Sequence, residues 1–266
     1  MGSQSTEKKK KLKYNVMTAA TFIIFFSVWQ FLASNDLIVG KYTPSVTEVI
    51  QAFVFKIENV GPDGNVLWKN IVTSLQISAS GFFLAVIIGI PLGLLMGWYP
   101  LLNRFVRPIF EIIRPIPAVS WIPLMIVWVG VGVQAKAIII FLTAFIPCVL
   151  NSYTGIRQTN KTLINVANVY GASNFYTFLH VGVPSAVPMI FAGMRVAIGN
   201  SWGCLVAAEM LAASAGLGYM INMARNFGRA DVVVLGMVII GFIGYLFTSI
   251  FSLIEKKIAG GGMHES

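Results

Sequence analysis

The stretch "INVANVYGASNFYTFLHVGVPSAVP", residues 164–188, interrupts a chain otherwise dominated by Val, Ile, Leu, Phe and Met. It holds Asn165, Gly171, Ser173, Asn174, His180 and two prolines, and not one Lys, Arg, Asp or Glu. Its meaning depends on what flanks it. Apolar runs on both sides approach the ~20 residues that a helix needs to cross ~30 Å of hydrocarbon. Composition agrees: 56 % of residues are hydrophobic, 11 % are charged and the mean hydropathy is +0.77. A soluble exterior cannot stay wetted with so few charges. The chain reads as an all-α integral membrane protein, and residues 164–188 as a polar island at one bilayer face.

Six spans are expected. The first covers residues 16–33, too long for a signal-peptide core and without a clean cleavage site. The second covers 71–98 and carries Gly81, Ala85, Gly89, Gly93 and Gly97 at every fourth position, which places five small residues on one helix face as a packing seam. Pro115, Pro117 and Pro123 break the entry to a third span at 117–131, so that helix should be short or irregular. The fourth, fifth and sixth fall at 136–150, 189–210 and 232–254. Between the first two, Pro44-Ser45 followed by Val46, Val49, Ile50 and Phe53 predicts a short amphipathic helix. Residues 99–116 read as a connection, 211–231 as a loop and 255–266 as a disordered tail. The organisation is then 1–13 as an N-terminal tail, 14–70 as first span and amphipathic segment, 71–254 as the transport domain with its loop at 151–188, and 255–266 as the C-terminal tail.

The net charge of +9 comes from lysines and arginines clustered beside spans, not interleaved with aromatics on one surface. That excludes a nucleic-acid face and supplies an orientation. Twelve basic residues, including the five lysines of 8–13, fall on the side holding both termini, against six on the other, Lys41 and Lys136 among them. Both termini and the island are therefore expected in the cytoplasm. Cys148 and Cys204 each sit in an apolar run and read as small buried hydrophobes.

Within the island, Asn165–Tyr170 reads as a helical turn closed by Gly171, a residue suited to a C-terminal cap. Ser173 is placed to cap a second short helix through "FYTFLHV". Phe175, Phe178 and Leu179 share one face of it, Pro184 ends that helix or marks the next start, and Pro188 sits at the mouth of the fifth span. Exposed aromatics on a short surface helix call for a protein groove or a lipid interface, and lipid docking would require basic residues that are absent here; the remaining alternative is an ordinary loop covering its own spans.

The segment "NVANVYGASNFYTFLHVGVP" resembles the cytoplasmic EAA loop of membrane subunits of ATP-binding-cassette importers that depend on a substrate-binding protein. That loop reads Glu-Ala-Ala, three residues, Gly, nine residues, Ile-x-Leu-Pro. Gly171 takes the glycine, and Val181, Val183 and Pro184 take the closing positions. Asn165-Val166-Ala167 stands where the family has Glu-Ala-Ala, so the acid is missing. "EIIRPIPAVSWIPLMIVWVGVG" and "PMIFAGMRVAIGNSWGCLVAAEMLAASAGLGYMI" are similar to the branch importing nitrate, bicarbonate, taurine and alkanesulfonates. The resemblance implies a permease in the bacterial inner membrane, paired with a second copy, two cytoplasmic ATP-binding subunits and an extracytoplasmic binding protein. It implies a coupling loop with Asn165, Ala167, Gly171, Ala172, Ser173, Phe175, Phe178, His180 and Pro184 against the ATPase, with ATP and Mg held by that partner.

No GxxxxGK[ST] loop is present to cradle a nucleotide, so the chain is not read as an enzyme, and no catalytic, cofactor or metal residue is assigned. A secondary transporter would need midplane ion sites and two similar halves, and a membrane enzyme clustered His, Asp or Glu. Neither pattern is found. Candidates along a translocation path or gate are Met125, Trp128, Arg195, Asn200, Ser201, Trp202, Glu209 and Met210. Glu209 is the one acid expected inside a span, where a carboxylate is functional or paired; the alternative is that it reaches water from near the outer end of the fifth span. For Arg195, near the inner end of its span, snorkelling to the interface is the stronger reading. His180 alone makes no metal site.

Overall fold

Helix-forming apolar segments, punctuated by proline, glycine and capping residues, account for the order of elements. In a computed structural model, which describes residues 2–35, 43–211 and 213–259, these are α1 (Gly2–Ser34), α2 (Val46–Glu58), α3 (Leu67–Trp98), α4 (Pro100–Ile113), a 3-10 turn (Ala118–Trp121), α5 (Ile122–Val129), α6 (Val133–Arg157), α7 (Lys161–Val169), α8 (Asn174–Thr177), a π turn (Phe178–Gly182), α9 (Val183–Leu211), α10 (Leu217–Asn226) and α11 (Ala230–Ala259). No strand occurs among the described residues. Lys41 and the tail residues 260–266 lie outside them. Five helices are long and apolar enough to cross a bilayer, and α4 with the 118–129 segment, bent by 83°, is a sixth candidate as a broken span or re-entrant pair.

The small-residue seam determines the core. A Cβ added at Gly81 would meet Ala137 O at 2.6 Å, one at Gly89 would meet Cys148 Cβ at 3.1 Å, and Gly93 and Gly97 abut Val149 and Ile156. The paired numbers rise together, so α3 and α6 lie parallel in near-backbone contact. Helix α9 runs antiparallel to α6: Gly155 faces Ala186 and Met189, while Gly193 faces Asn151 and the Pro147 carbonyl. Close approach of this kind substitutes dispersion for the hydrophobic drive that lipid does not supply. Trp202 joins α11 to this core, its Nε1 donating to Ile240 O at 3.0 Å and its ring edge-on to Phe247.

Several boundaries differ from expectation. The third crossing is not a helix over 117–131. Residues 99–116, expected as a connection, hold α4, whose Phe110 packs edge-on against Phe145 of α6, and only residues 118–129 continue it after the proline break. Residues 211–231 are not a plain loop, because Leu217, Met220, Ile221 and Ala224 recur at helical spacing and bury one face of α10. The expected disordered tail is helical through Ala259, and Arg195 Nη1 lies 2.7 Å from Glu255 Oε2 across from it. The fourth, fifth and sixth spans extend to 133–157, 183–211 and 230–259, since polar ends of long helices carry no apolar signal. Helix α2 forms where expected, with Ser45 and Glu48 completing a capping box. Yet it buries Val49, Ala52 and Lys56 and leaves Ile50 and Phe53 exposed.

Candidate functional site

The polar island folds as two short helices around one glycine. Asn160 caps α7, its side chain accepting from Thr162 N at 2.8 Å. At its far end Ala172 N donates to Ala167 O and Gly171 N to Asn168 O, both at 3.0 Å. That pair of bonds is a Schellman closure, and it places Gly171 at φ 76°. A side chain there meets no neighbour within 4 Å, so glycine is required by backbone conformation and not by space. Ser173 then caps α8, accepting from Tyr176 N at 3.2 Å, as its sequence position predicts.

Past the cap there is no second break. Helix α8, the π turn and α9 form one continuous helix, Asn174–Leu211. Pro184 neither ends a helix nor starts a separate one; it sits in the first turn of α9, after the π turn, whose wide Val183 N to Phe178 O bond precedes it. Pro188 lies inside the helix rather than at its mouth. The surface turn at 174–177 and the membrane helix are thus a single rod.

Loop residues divide into an anchor and a free face. Phe178, expected on the exposed face, is 6 % exposed. It is wedged between Trp98 and Tyr99, at ring distances of 5.7 and 5.9 Å. Trp98 Nε1 donates to Asn174 Oδ1 at 2.9 Å, and Gly182 makes room for the indole. The π turn that starts at Phe178 shifts the register of the rod by one residue, which sets this face toward the end of α3. Phe175 is 61 % exposed, Tyr170 86 % and Val169 85 %; Leu163, Val166, Tyr176 and Leu179 are exposed with them. Asn165 is exposed and Ala167 partly exposed on α7, with Ala172 partly exposed and Ser173 exposed between the helices. His180 stacks on Tyr176, ring centroids 4.0 Å apart, and its Nδ1 lies 3.0 Å from Tyr176 O. An exposed apolar and aromatic surface of this kind, with no Lys or Arg in residues 164–188, suits a protein groove.

At the opposite end of the helices lies a buried polar clasp that the sequence reading missed. Lys56 Nζ is 2.6 Å from Asp63 Oδ1, both side chains fully buried, and also donates to Asn65 O. Asn70 Nδ2 donates to Asp63 Oδ2 at 2.7 Å, while its Oδ1 accepts from Gly216 N at 3.0 Å. Ser74 Oγ accepts from Leu217 N at 2.9 Å and donates to Glu209, and Gly218 N donates to Glu209 Oε2 at 2.9 Å. Three successive N–H groups at the start of α10, which a helix leaves unpaired, are each met by a side chain of α3 or α9. The signal was present: Asn70, Ser74 and Ser78 continue the Gly81 stripe upward, so their side chains face the same seam.

The residues expected along a path separate just as sharply. Ser201, Trp202, Glu209 and Met125 are buried inside the subunit. Ser201 Oγ donates to Ala197 O at 2.6 Å, and Glu209 belongs to the clasp and does not reach water. Met210 is half-buried, its carbonyl accepting from Asn222. Arg195, partly exposed, pairs with Glu255 near the end of α11. Trp128 and Asn200 are the two left exposed. Asn200 lies between Gly199 and Gly203, where an added Cβ would meet nothing.

Residues 89–260 match the sequence profile of the binding-protein-dependent transport system inner membrane component. The chain belongs to that family. The permease is 31 % identical over 245 residues to the taurine transport system permease protein of Escherichia coli (strain K12), covering 91 % of this chain and 88 % of that one. It is 32 % identical over 253 residues to the nitrate import permease protein of Leptolyngbya laminosa, covering 94 % and 89 %. An inward-facing structure of the MetNI methionine ABC transporter shares its fold, with a TM-score of 0.64 at 22 % identity over 72 % of this chain and 95 % of that chain. The permease is thus a multi-span transport subunit of an ABC importer of the bacterial inner membrane, and not its ATPase. Cys148 and Cys204 are free and buried, and no group of His, Cys, Asp or Glu able to hold a metal occurs among the described residues.

Proposed function

We propose that two copies of the permease enclose a path for a small anion or sulfonate, delivered by a binding protein at the clasp end. Two cytoplasmic ATP-binding subunits dock on residues 164–184 and drive alternating access, holding ATP and Mg themselves. Both termini then lie in the cytoplasm, and residues 71–254 carry the transport domain with lipid around it. The relatives named for taurine and nitrate support the solute class.

One observation carries the coupling role: the exposed turn at 174–177 is continuous with the membrane helix through Leu211. A displacement imposed on Phe175 by a partner moves α9 directly, with Phe178 against Trp98 carrying the same push into α3. Packed helices have discrete arrangements, so such a push selects between packings and does not bend one continuously. Gly171 sets the angle between α7 and that rod. Asn165, in the place of the family's acid, offers the partner an amide in place of a charge.

Replacing Gly171 with Val tests this reading. A β-branched residue is strained at φ 76°, so the Schellman closure should be lost while the spans remain. In proteoliposomes holding the complete transporter, ATPase co-purification or ATP-driven uptake of labelled taurine, nitrate or bicarbonate is expected to fall about tenfold, a coupling loss near 1.4 kcal/mol. Unchanged uptake refutes the coupling role.

A further inference from the structure

The arginines of α4 have no assigned task, and their depth gives them one. Helix α4 begins beside Tyr99, which contacts Phe178 at the loop end. Its last buried residue, Phe110, lies 6.3 Å from Phe145, the middle of the 25-residue α6. The 14 residues of α4 span ~21 Å, enough for a tilted climb through half of a ~30 Å hydrocarbon layer. Arg107, Glu111 and Arg114, at spacings of four and three, therefore form a strip rising toward mid-depth.

This strip is not the face that packs. Phe110 turns toward α3 and α6, while Phe105, Ile109 and Ile112 form a separate exposed apolar stripe. The arginine strip is a third face, and it too is exposed: the Arg107 and Arg114 side chains are 58 % and 46 % accessible. An arginine at that depth is costly against lipid and is found facing protein or a water-filled cavity. A second observation agrees. Immediately after Arg114 the chain turns by 83° into the 3-10 segment. Irregular backbone at membrane depth persists only beside protein or a water-filled space. That segment packs against α9, with Ala118 and Trp121 in one cluster with Cys204, one helical turn from the exposed Asn200.

Glu111 lies 3.6 Å from each of Arg107 and Arg114. One carboxylate against Arg104, Arg107 and Arg114 leaves the strip positive, and such exposed pairs are weak enough to exchange for a ligand.

We propose that Arg107 and Arg114 line a water-filled stretch of the translocation path and supply the positive field that admits an anionic solute. This deepens the proposed solute class and rests on it, while the lining itself does not. The two are separated by one experiment on the complete transporter with its ATPase and binding protein. Because both native thiols are buried, Arg107→Cys and Arg114→Cys can be probed with a membrane-impermeant methanethiosulfonate sulfonate and with a lipid-soluble maleimide. Both cysteines are expected to react with the aqueous reagent. Arg107→Gln and Arg114→Gln are expected to lower uptake of labelled nitrate or taurine about tenfold or more with ATPase co-purification retained, and Arg→Lys to keep most of it. Reaction with the maleimide alone overturns the lining. Reactive cysteines with wild-type uptake in both Gln variants overturn the field. A wild-type transporter that takes up neither nitrate, taurine nor bicarbonate refutes the anion reading without touching the lining, which the thiol chemistry decides.

Discussion

The two ends of the helix bundle solve opposite problems. At the clasp end, Lys56, Asp63, Asn70, Ser74 and Glu209 are buried and meet one another or the first N–H groups of α10. At the loop end, large apolar side chains stand in the open, with Phe178 as the wedge holding them to Trp98. A satisfied polar network rigidifies what it joins, whereas an exposed apolar face is unfinished until something covers it. The permease keeps its own polar needs at one end and presents its unmet apolar surface at the other. The same chain is therefore stiff where α3, α9 and α10 meet and receptive where the ATPase is proposed to dock.

That contrast can be broken from the clasp end first. Lys56→Met leaves Asp63 charged, fully buried and unpaired, and removing one partner of such a pair costs about 3–5 kcal/mol. The expected outcome is a large fall in thermal stability of the purified permease; a melting curve matching wild type would show that the clasp is not what holds this end. Next, Phe178→Ala removes a buried ring at the loop end, for which about 3 kcal/mol of destabilisation is expected, together with loss of ATPase binding. A stable variant that merely loses the partner would place Phe178 on the docking face after all.

Gly171→Val comes third, with its effect on uptake and little on the melting curve. Smallest in stability is Phe175→Ala, an exposed site where a change within about 0.5 kcal/mol is expected. Its signature is weakened ATPase co-purification from an intact permease. If Phe175→Ala and Phe178→Ala shifted stability equally, the division into anchor and free face would be lost.

Much of this was legible from residue order. The Gly81-to-Gly97 stripe announced a seam because helical periodicity alone puts every fourth residue on one face. Gly171 and Ser173 announced the turn because a left-handed cap and a hydroxyl cap are local requirements. Phe178 could not be placed the same way, since a π turn shifts the register by one residue and no simple periodicity foresees it. Ser201, Trp202 and Glu209 were recognisable as polar or bulky groups within a span, yet which neighbour each would face depends on helix rotation.

The amino-acid order by itself determined the membrane class, the capped polar island and the family likeness, because each rests on spacing within a short window. Only the tertiary structure decided that α8 and α9 are one rod, that Glu209 holds α10, and that α4 packs beside the middle of α6. Those outcomes depend on contacts between residues far apart in the chain, such as Asn70 with Gly216 or Phe110 with Phe145, and such contacts exist only once the helices have chosen their partners.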